Sequence, residues 1–439
     1  MNSTTPPQSQ NSLLLVAFHF PPQTGSSGLL RSLKFSRYLP EFGWQPLVLT
    51  ANPRAYESTD PHKGTNTESA LPILRAFALD TKRHLGFRGA YFDWMALPDR
   101  WVTWLLGAVP AGFLAIRKYR LDAIFSTFPI STAILIGFLL HRLTGKPWIV
   151  DLRDSMTEEG YPKDPTERRV RLWIERNAIR HASRMIFTAD STLRMYLARY
   201  PDLSRDRCVV IPNGYDEEDF ASLVERPSAP IPDNQPVRLL HTGLVYPEER
   251  DPRPFFQALA QLKQEGKISP GTLHIAFRAA GSEDLFQEIV NSLGIADLIK
   301  FQPHVPYRQA LQECADADGL LIFQAANCDH QIPAKAYEYL RLRKPLFALT
   351  SYSGDTAALL RDAGGSSIVN LADQNEIYQA LPEFLNAVRT ATHPSPRPEK
   401  VLRYARRSQA QMLADCLNDV KYHPASLRQA KSVVHSTGG

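Results

Sequence analysis

The chain reads as an α/β protein built from two halves, each with a parallel sheet covered by helices. Three observations predict this. The 439 residues are too many for one ordinary core. Short apolar runs alternate with helical patterns and lie too far apart for hairpins, so crossover connections and parallel pairing follow. A segment whose second part is Pro-rich, "EEDFASLVERPSAPIPDNQP" (217–236), separates the runs into two sets.

The first set is "LLLVAF" (13–18), "PLVLT" (46–50), "ILRAFAL" (73–79), "DAIFST" (122–127), "PWIVDL" (147–152), "MIFTA" (185–189) and "CVVIPNG" (208–214). The second is "VRLLHTG" (237–243), "TLHIAFRAAG" (272–281), "IKFQPHV" (299–305), "GLLIFQ" (319–324), "PLFALT" (345–350) and "SSIVNL" (366–371). Most are bounded by Gly, Pro or polar residues, as buried strands are. The predicted organisation is a disordered N-terminus (1–11), a first α/β domain (12–216), a linker (217–236) and a second α/β domain (237–397). A final helix (398–422) packs back across the junction, and a flexible tail (423–439) follows. Two such domains facing each other bind ligands in the cleft, at the carboxyl ends of their strands.

Composition narrows the class. With 44% hydrophobic and 22% charged residues the chain suits a soluble globular protein. A net charge of +5 is mild; it fits an acidic ligand or an anionic membrane surface and does not require nucleic acid. Cysteines at 208, 314, 328 and 416 form no CxxC and point to a reducing compartment. "MNSTTPPQSQN" has no basic start and is not a signal peptide. "WVTWLLGAVPAGFLAI" (101–116) is shorter than the roughly 20 residues of a spanning helix, and Pro110 is expected to interrupt it. Two readings remain for 101–120: an ordinary buried helix, or a peripheral membrane contact with Trp101 and Trp104 at one end and "RKYR" at the other. The basic stretch "PTERRVRLWIERNAIRHASR" (165–184) is likewise either a solvated face or a contact with lipid phosphates.

Four places carry candidate chemistry. The first strand runs into "HFPPQTGSSGLLRSLKFSRYL", whose glycines allow a tight turn and whose helix start offers N–H groups to an anion. It lacks the GxGxxG fingerprint of dinucleotide binding, and an ordinary strand–helix turn is the alternative. Asp151, Arg153 and Asp154 end another strand; they either pair with each other or present Asp154 to an acceptor hydroxyl. Arg250 and Arg253 precede a helix in the second half and suit a diphosphate clamp. "DHQIPAKAYEYLRLRKPLFAL" (329–349) puts Pro333 at a first helical position and Lys335 in the first turn, where the helix dipole opposes a cation. A bound diphosphate would remove that conflict. Glu338, one turn on, can accept two ribose hydroxyls; the alternative is a Lys–Glu surface pair.

Together "FHFPPQTGSSGLLRSLKFSRYLPEFGWQPLVLT", "PDRWVTW", "FSTFPISTAILIG", "GKPWIVDLRDSM", "IPNGYD" and "IPAKAYEYLRLRKPLFAL" resemble the retaining GT-B glycosyltransferases of family four (group one), over about residues 12 to 420. The resemblance is strongest to the branch that builds bacterial cell-surface polysaccharides such as lipopolysaccharide or exopolysaccharide. It implies that Glu338 binds the nucleotide ribose, Lys335 the donor diphosphate, and Arg250 the same phosphates in place of a usual lysine. It implies that Gly243, His330, Ile332, Pro333 and Ala334 border the donor, with Arg250 or Arg253 compensating for Leu244, where the family has Arg. Val305 and Pro306 should meet the base. His19, Gly25, Ser26, Ser27 and Gly28 should form the acceptor or phosphate loop, with Asp154 near the acceptor. The family motif of two glutamates with seven residues between them has His330 at its first position, with Asp329 beside it.

The implied activity is sugar transfer from a nucleotide-diphosphate sugar to a glycan or polyprenyl-linked acceptor. It would run without a cofactor or metal, on the cytoplasmic side and peripheral to the membrane, with Lys335, Arg250 and Asp154 as the catalytic set. The alternatives are a nucleotide-sugar epimerase of the same fold, using Asp329 and His330, and a non-catalytic subunit.

Overall fold

A computed structural model describes residues 11–24, 28–60, 71–86, 91–247 and 249–422. The chain divides into two compact units, one running to Pro212 and resuming at Arg406, the other Asn213–Ala405.

The first unit contains β1 (Asn11–Val16), α1 (Gly28–Tyr38), β2 (Trp44–Ala51), β3 (Ile73–Ala76), α2 (Leu105–Tyr119), β4 (Ala123–Thr127), α3 (Ser131–Thr144), β5 (Trp148–Leu152), α4 (Pro165–His181), β6 (Arg184–Phe187), α5 (Asp190–Arg199) and β7 (Cys208–Val210). Its strands pair in the order β3-β2-β1-β4-β5-β6-β7, all parallel. Alternate residues feed two cores: Leu14, Val16 and Ile124 on one face, Leu13, Leu15 and Phe125 on the other. That double burial is why β1 is apolar without a break.

The second unit contains β8 (Val237–Thr242), α6 (Arg253–Gln264), β9 (Leu273–Arg278), α7 (Glu283–Ser292), β10 (Ile299–Gln302), α8 (Tyr307–Asp316), β11 (Gly319–Gln324), α9 (Ala334–Leu342), β12 (Leu346–Thr350), α10 (Asp355–Ala363), β13 (Ser366–Val369) and α11 (Gln374–Arg389). Its order is β10-β9-β8-β11-β12-β13, again all parallel. In each sheet the order reverses once, between β1 and β4 and between β8 and β11. Helices there leave towards opposite faces, and the loops part to open a crevice at the carboxyl ends.

Each of the thirteen predicted runs overlaps a strand. Several overrun at the carboxyl end. The run 272–281, for instance, stops at Arg278, because Ala279 and Gly281 take positive φ.

Four expectations are corrected. Pro110 does not interrupt its helix; α2 runs through it. The carbonyl that loses its donor belongs to exposed Leu106, where water can replace the bond. Trp101 and Trp104 do not face outward. Trp104 is fully buried, and the Trp101 ring packs 4.6 Å from that of Phe18. The segment 217–236 opens with a helical turn (Glu217–Phe220) whose Phe220 is buried against Tyr215. The stretch 398–422 is not one helix. A short turn ends at Ala405, which is extended (ψ 137°), and α12 (Arg406–Tyr422) then packs on α1 in the first unit. Tyr215 donates its N–H to the Tyr404 carbonyl (3.1 Å) and pulls that backbone out of helical geometry.

Candidate active site

In the second unit the site grows from the end of β8. Gly243 turns the chain at φ +89°, a conformation that favours glycine. Helix α9 lies alongside, tied down by the buried Tyr339, whose hydroxyl accepts the Thr242 N–H (3.0 Å) and pairs with the Thr242 hydroxyl (2.9 Å). That anchor holds Lys335 and Glu338, on the same helix, over the strand end.

Pro333 is not the first helical residue. Its ψ of 134° is extended, so it occupies the cap position, its carbonyl receiving the Ala336 N–H (2.9 Å). Lys335 is then the second residue of α9, still within the first turn. Its ammonium lies 3.0 Å from His241 Nε2. Burial, then the nearby Arg250 guanidinium, lower its pKa to about 7, against the opposing pull of the Glu338 carboxylate. Glu338 accepts the Tyr307 hydroxyl at 2.7 Å. Gly243, Val305, Tyr307, Lys335 and Glu338 line one cavity of about 270 Å³, with Arg278 and Cys314 in its wall. Burial pushes the Cys314 thiol up to about 12, so it stays protonated.

The other predicted donor residues divide. Arg250 donates to the Leu244 carbonyl (2.7 Å) and lies 5.2 Å from the Tyr246 ring centre, close enough to act on Lys335 by charge. Arg253 is exposed and held by Asp251 at 2.6 Å, and it does not line the cavity. Pro306 caps α8, beside Val305. In the 329–334 loop Ile332 packs into the core under α9, Ala334 is exposed, and the His330 ring lies 3.4 Å from the Gln331 amide. The Asp329 carboxylate is taken by Ser351 (2.8 Å) and Ser353 (3.0 Å), an anchoring arrangement that does not favour the acid–base part an epimerase would need from it.

In the first unit, the residues after β1 and β5 converge. His19 Nδ1 lies 2.8 Å from the Gln23 amide oxygen. Burial lowers its pKa to about 4 against that hydrogen bond, and Arg153 adds to the shift, so the ring is neutral. Asp151 and Arg153 do not pair as sequence proximity suggested. Asp151, fully buried, takes a two-pronged bond from Arg31 (3.0 and 2.8 Å) and the Thr127 hydroxyl (2.7 Å). Arg153 donates to the Phe128 carbonyl and, at 2.7 Å, to that of Gly28. A side chain at Gly28 would collide with the Arg153 guanidinium, which explains the glycine. Asp154 is exposed and near enough to support the charge on Arg153. Gly25, Ser26 and Ser27 lie outside the described residues. Among the described residues no group of three or more His, Cys, Asp or Glu is placed to hold a metal ion.

On one face of the first sheet, α2, α3 and α4 lie side by side. Their outer surface carries Leu106, Pro110 and Leu114 on α2, Arg142 and Leu143 on α3, and Arg169, Trp173, Arg176 and Arg180 on α4, all exposed. Arg117 and Lys118 close α2. Phe92 and Trp94, which sequence reasoning missed, stack on each other and are also exposed. No described helix is long and apolar enough to cross a membrane.

Two parallel sheets, each with a charged site at its reversal point, define the GT-B class. Comparison agrees. The chain aligns with a glycosyltransferase from Rickettsia africae over 95% of its own length and 100% of the other's, at 11% identity and TM-score 0.62. It aligns with HepE from Anabaena in complex with UDP over 97% and 99%, at 15% identity and TM-score 0.57. It aligns with WaaG, a glycosyltransferase involved in lipopolysaccharide biosynthesis, over 97% and 100%, at 14% identity and TM-score 0.55. No curated protein matches the chain by sequence. Residues 29–214 match the glycosyl transferase 4-like domain, and the chain has the GT-B fold of these glycosyltransferases.

Proposed function

We propose that the protein is a retaining glycosyltransferase that binds a nucleotide-diphosphate sugar in its second unit and a glycan or polyprenyl-linked acceptor in its first, within cell-surface polysaccharide synthesis. One observation carries the donor assignment. Lys335, Glu338, Gly243 and Val305 line a single cavity where the second sheet reverses, and Lys335 reaches it from the first turn of α9. Lys335, Arg250 and the helix N-terminus supply positive charge for a diphosphate and stabilise it as it leaves. Glu338 takes the ribose hydroxyls, displacing Tyr307, and the backbone at Val305 and Pro306 meets the base. HepE, crystallised with UDP and with UDP-glucose, supports a nucleotide-sugar donor. WaaG, by its involvement in lipopolysaccharide biosynthesis, supports the cell-surface branch. In the first unit Asp154, His19 and Gly28 border the acceptor, with Arg153 holding the start of α1 against the end of β5.

The test is a thermal-shift series with UDP, GDP and ADP and their sugars. A ligand at a hundred times its Kd should stabilise the protein by about 2.7 kcal/mol. No shift with any nucleoside diphosphate removes the donor assignment. The anomeric configuration of the product, read by NMR, tests retention.

The face formed by α2, α3 and α4 supports attachment to an anionic bilayer: leucines and Trp173 enter the interface while the arginines meet lipid phosphates. The protein should bind anionic vesicles and leave them at high salt. Leu106→Asp with Leu114→Asp should abolish binding and leave nucleotide affinity intact. Equal binding to neutral vesicles would remove the phosphate part of the reading.

A further inference from the structure

We propose that His241 is a positioning residue for Lys335: its Nε2 lone pair takes one ammonium proton and turns the other two towards the cavity where the donor diphosphate sits. This rests on the donor assignment above.

Geometry sets the tautomer. His241 Nδ1 lies 2.8 Å from the Leu321 carbonyl oxygen, which can only accept, so Nδ1 carries the hydrogen. Nε2 is then a lone pair, and Lys335 Nζ, a donor, lies 3.0 Å from it, with the Gly243 backbone also close to the ring. The ring has no room to swing. It is fully buried, edge-on to Phe323 and tilted against Phe277 at centroid distances of 5.2 and 5.8 Å. Burial and the Lys335 charge keep the imidazole neutral, so it remains an acceptor across the neutral range. On the other side, a Cβ on Gly243 would lie 3.3 Å from Nζ, so the glycine keeps that approach open.

The groups acting on the ammonium come from four places: His241 on β8, Arg250 in the loop after it, Cys314 on α8 and Glu338 on α9. Arg250 disfavours the charge and Glu338 favours it, while the protonated Cys314 thiol adds none. His241 is a neutral group in direct contact, and an acceptor bonded to the charged form favours that form. A buried strand histidine therefore keeps Lys335 both charged and aimed.

The experiment measures the Kd of UDP, with GDP and ADP alongside, between about pH 6 and about pH 9, for full-length wild type, H241F, H241Q, K335A and K335A/H241F. Wild-type affinity should weaken as Lys335 loses its proton. H241F should bind roughly tenfold more weakly near neutrality, with the weakening shifted to lower pH. H241Q, which returns an acceptor near Nε2, should recover much of both. In the K335A background H241F should add nothing. Wild-type affinity and pH profile in H241F overturn the proposal, as does an equal loss in the K335A background, which marks a packing defect. If H241F does not fold, His241→Asn, too short to reach Nζ, replaces it under the same criteria. Failure of wild type to bind any of the nucleotides overturns the donor assignment itself, a result read without any variant.

Discussion

Arg153 and Lys335 are both cations at the carboxyl end of a parallel sheet, one in each unit, and their surroundings are opposite. Arg153 is buried among acceptors: the carbonyls of Phe128 and Gly28 take its N–H groups, and Asp151 and Asp154 support its charge. Its pKa falls only to about 10, so it stays charged at neutral pH. Lys335 has a neutral imidazole as its hydrogen-bond partner and a second cation nearby, and its pKa falls to about 7. A buried cation ringed by acceptors fastens a loop. One left short of negative charge is poised for an anion to arrive.

The strongest way to break this contrast is K335A. Turnover should fall by roughly a hundredfold, because the charge matters most as the diphosphate departs. Stabilisation by nucleoside diphosphate should largely vanish. The empty protein should be as stable as wild type or more so, with a definite pH dependence. The lysine's pKa is lower folded than unfolded, so below about pH 7 it is charged in both states and its burial penalty is complete. As pH rises from there towards the unfolded value, the folded form has already lost its proton and the penalty fades. The advantage of K335A should therefore shrink with rising pH, as melts over that range would reveal. A mutant less stable than wild type at neutral pH would make Lys335 a structural residue.

Arg153→Met should do the reverse. Two carbonyls lose a donor, that of Phe128 keeping the Thr127 hydroxyl (3.1 Å), and stability should fall by about 1–3 kcal/mol in chemical denaturation. UDP affinity should stay within about twofold of wild type, since the proposed donor contacts belong to the second unit and Arg153 to the first. A large loss of UDP affinity with little loss of stability would end the comparison. The smallest effect sharpens the donor side: Glu338→Gln keeps the shape but removes the charge, and should raise the donor KM by about tenfold. An unchanged KM would remove the ribose assignment.

Strand content, the two-sheet organisation and the α9 segment were legible in the chain because their signals are local. A parallel strand covered on both faces reads as an unbroken apolar run, and a lysine in a first helical turn is anomalous wherever it occurs. The same locality misled. Asp151 and Arg153 are two residues apart, yet Asp151 pairs with Arg31, 120 positions away. Trp104 looked like an interfacial anchor because its sequence neighbours are apolar, but its ring points into the core.

Sequence alone determined which segments are strands and which helix start carries an unneutralised cation, since backbone propensity, burial pattern and the helix dipole act over a few residues. Tertiary structure decided what that cation touches. His241 lies 94 residues before Lys335, and Thr242 97 before its anchor Tyr339. Only the crossovers that set β8 beside β11 and lay α9 alongside bring them together. In the sequence, a histidine in "VRLLHTG" is indistinguishable from an ordinary buried ring. Its role depends on which nitrogen meets a carbonyl and which meets an ammonium, and that is settled by packing across strands.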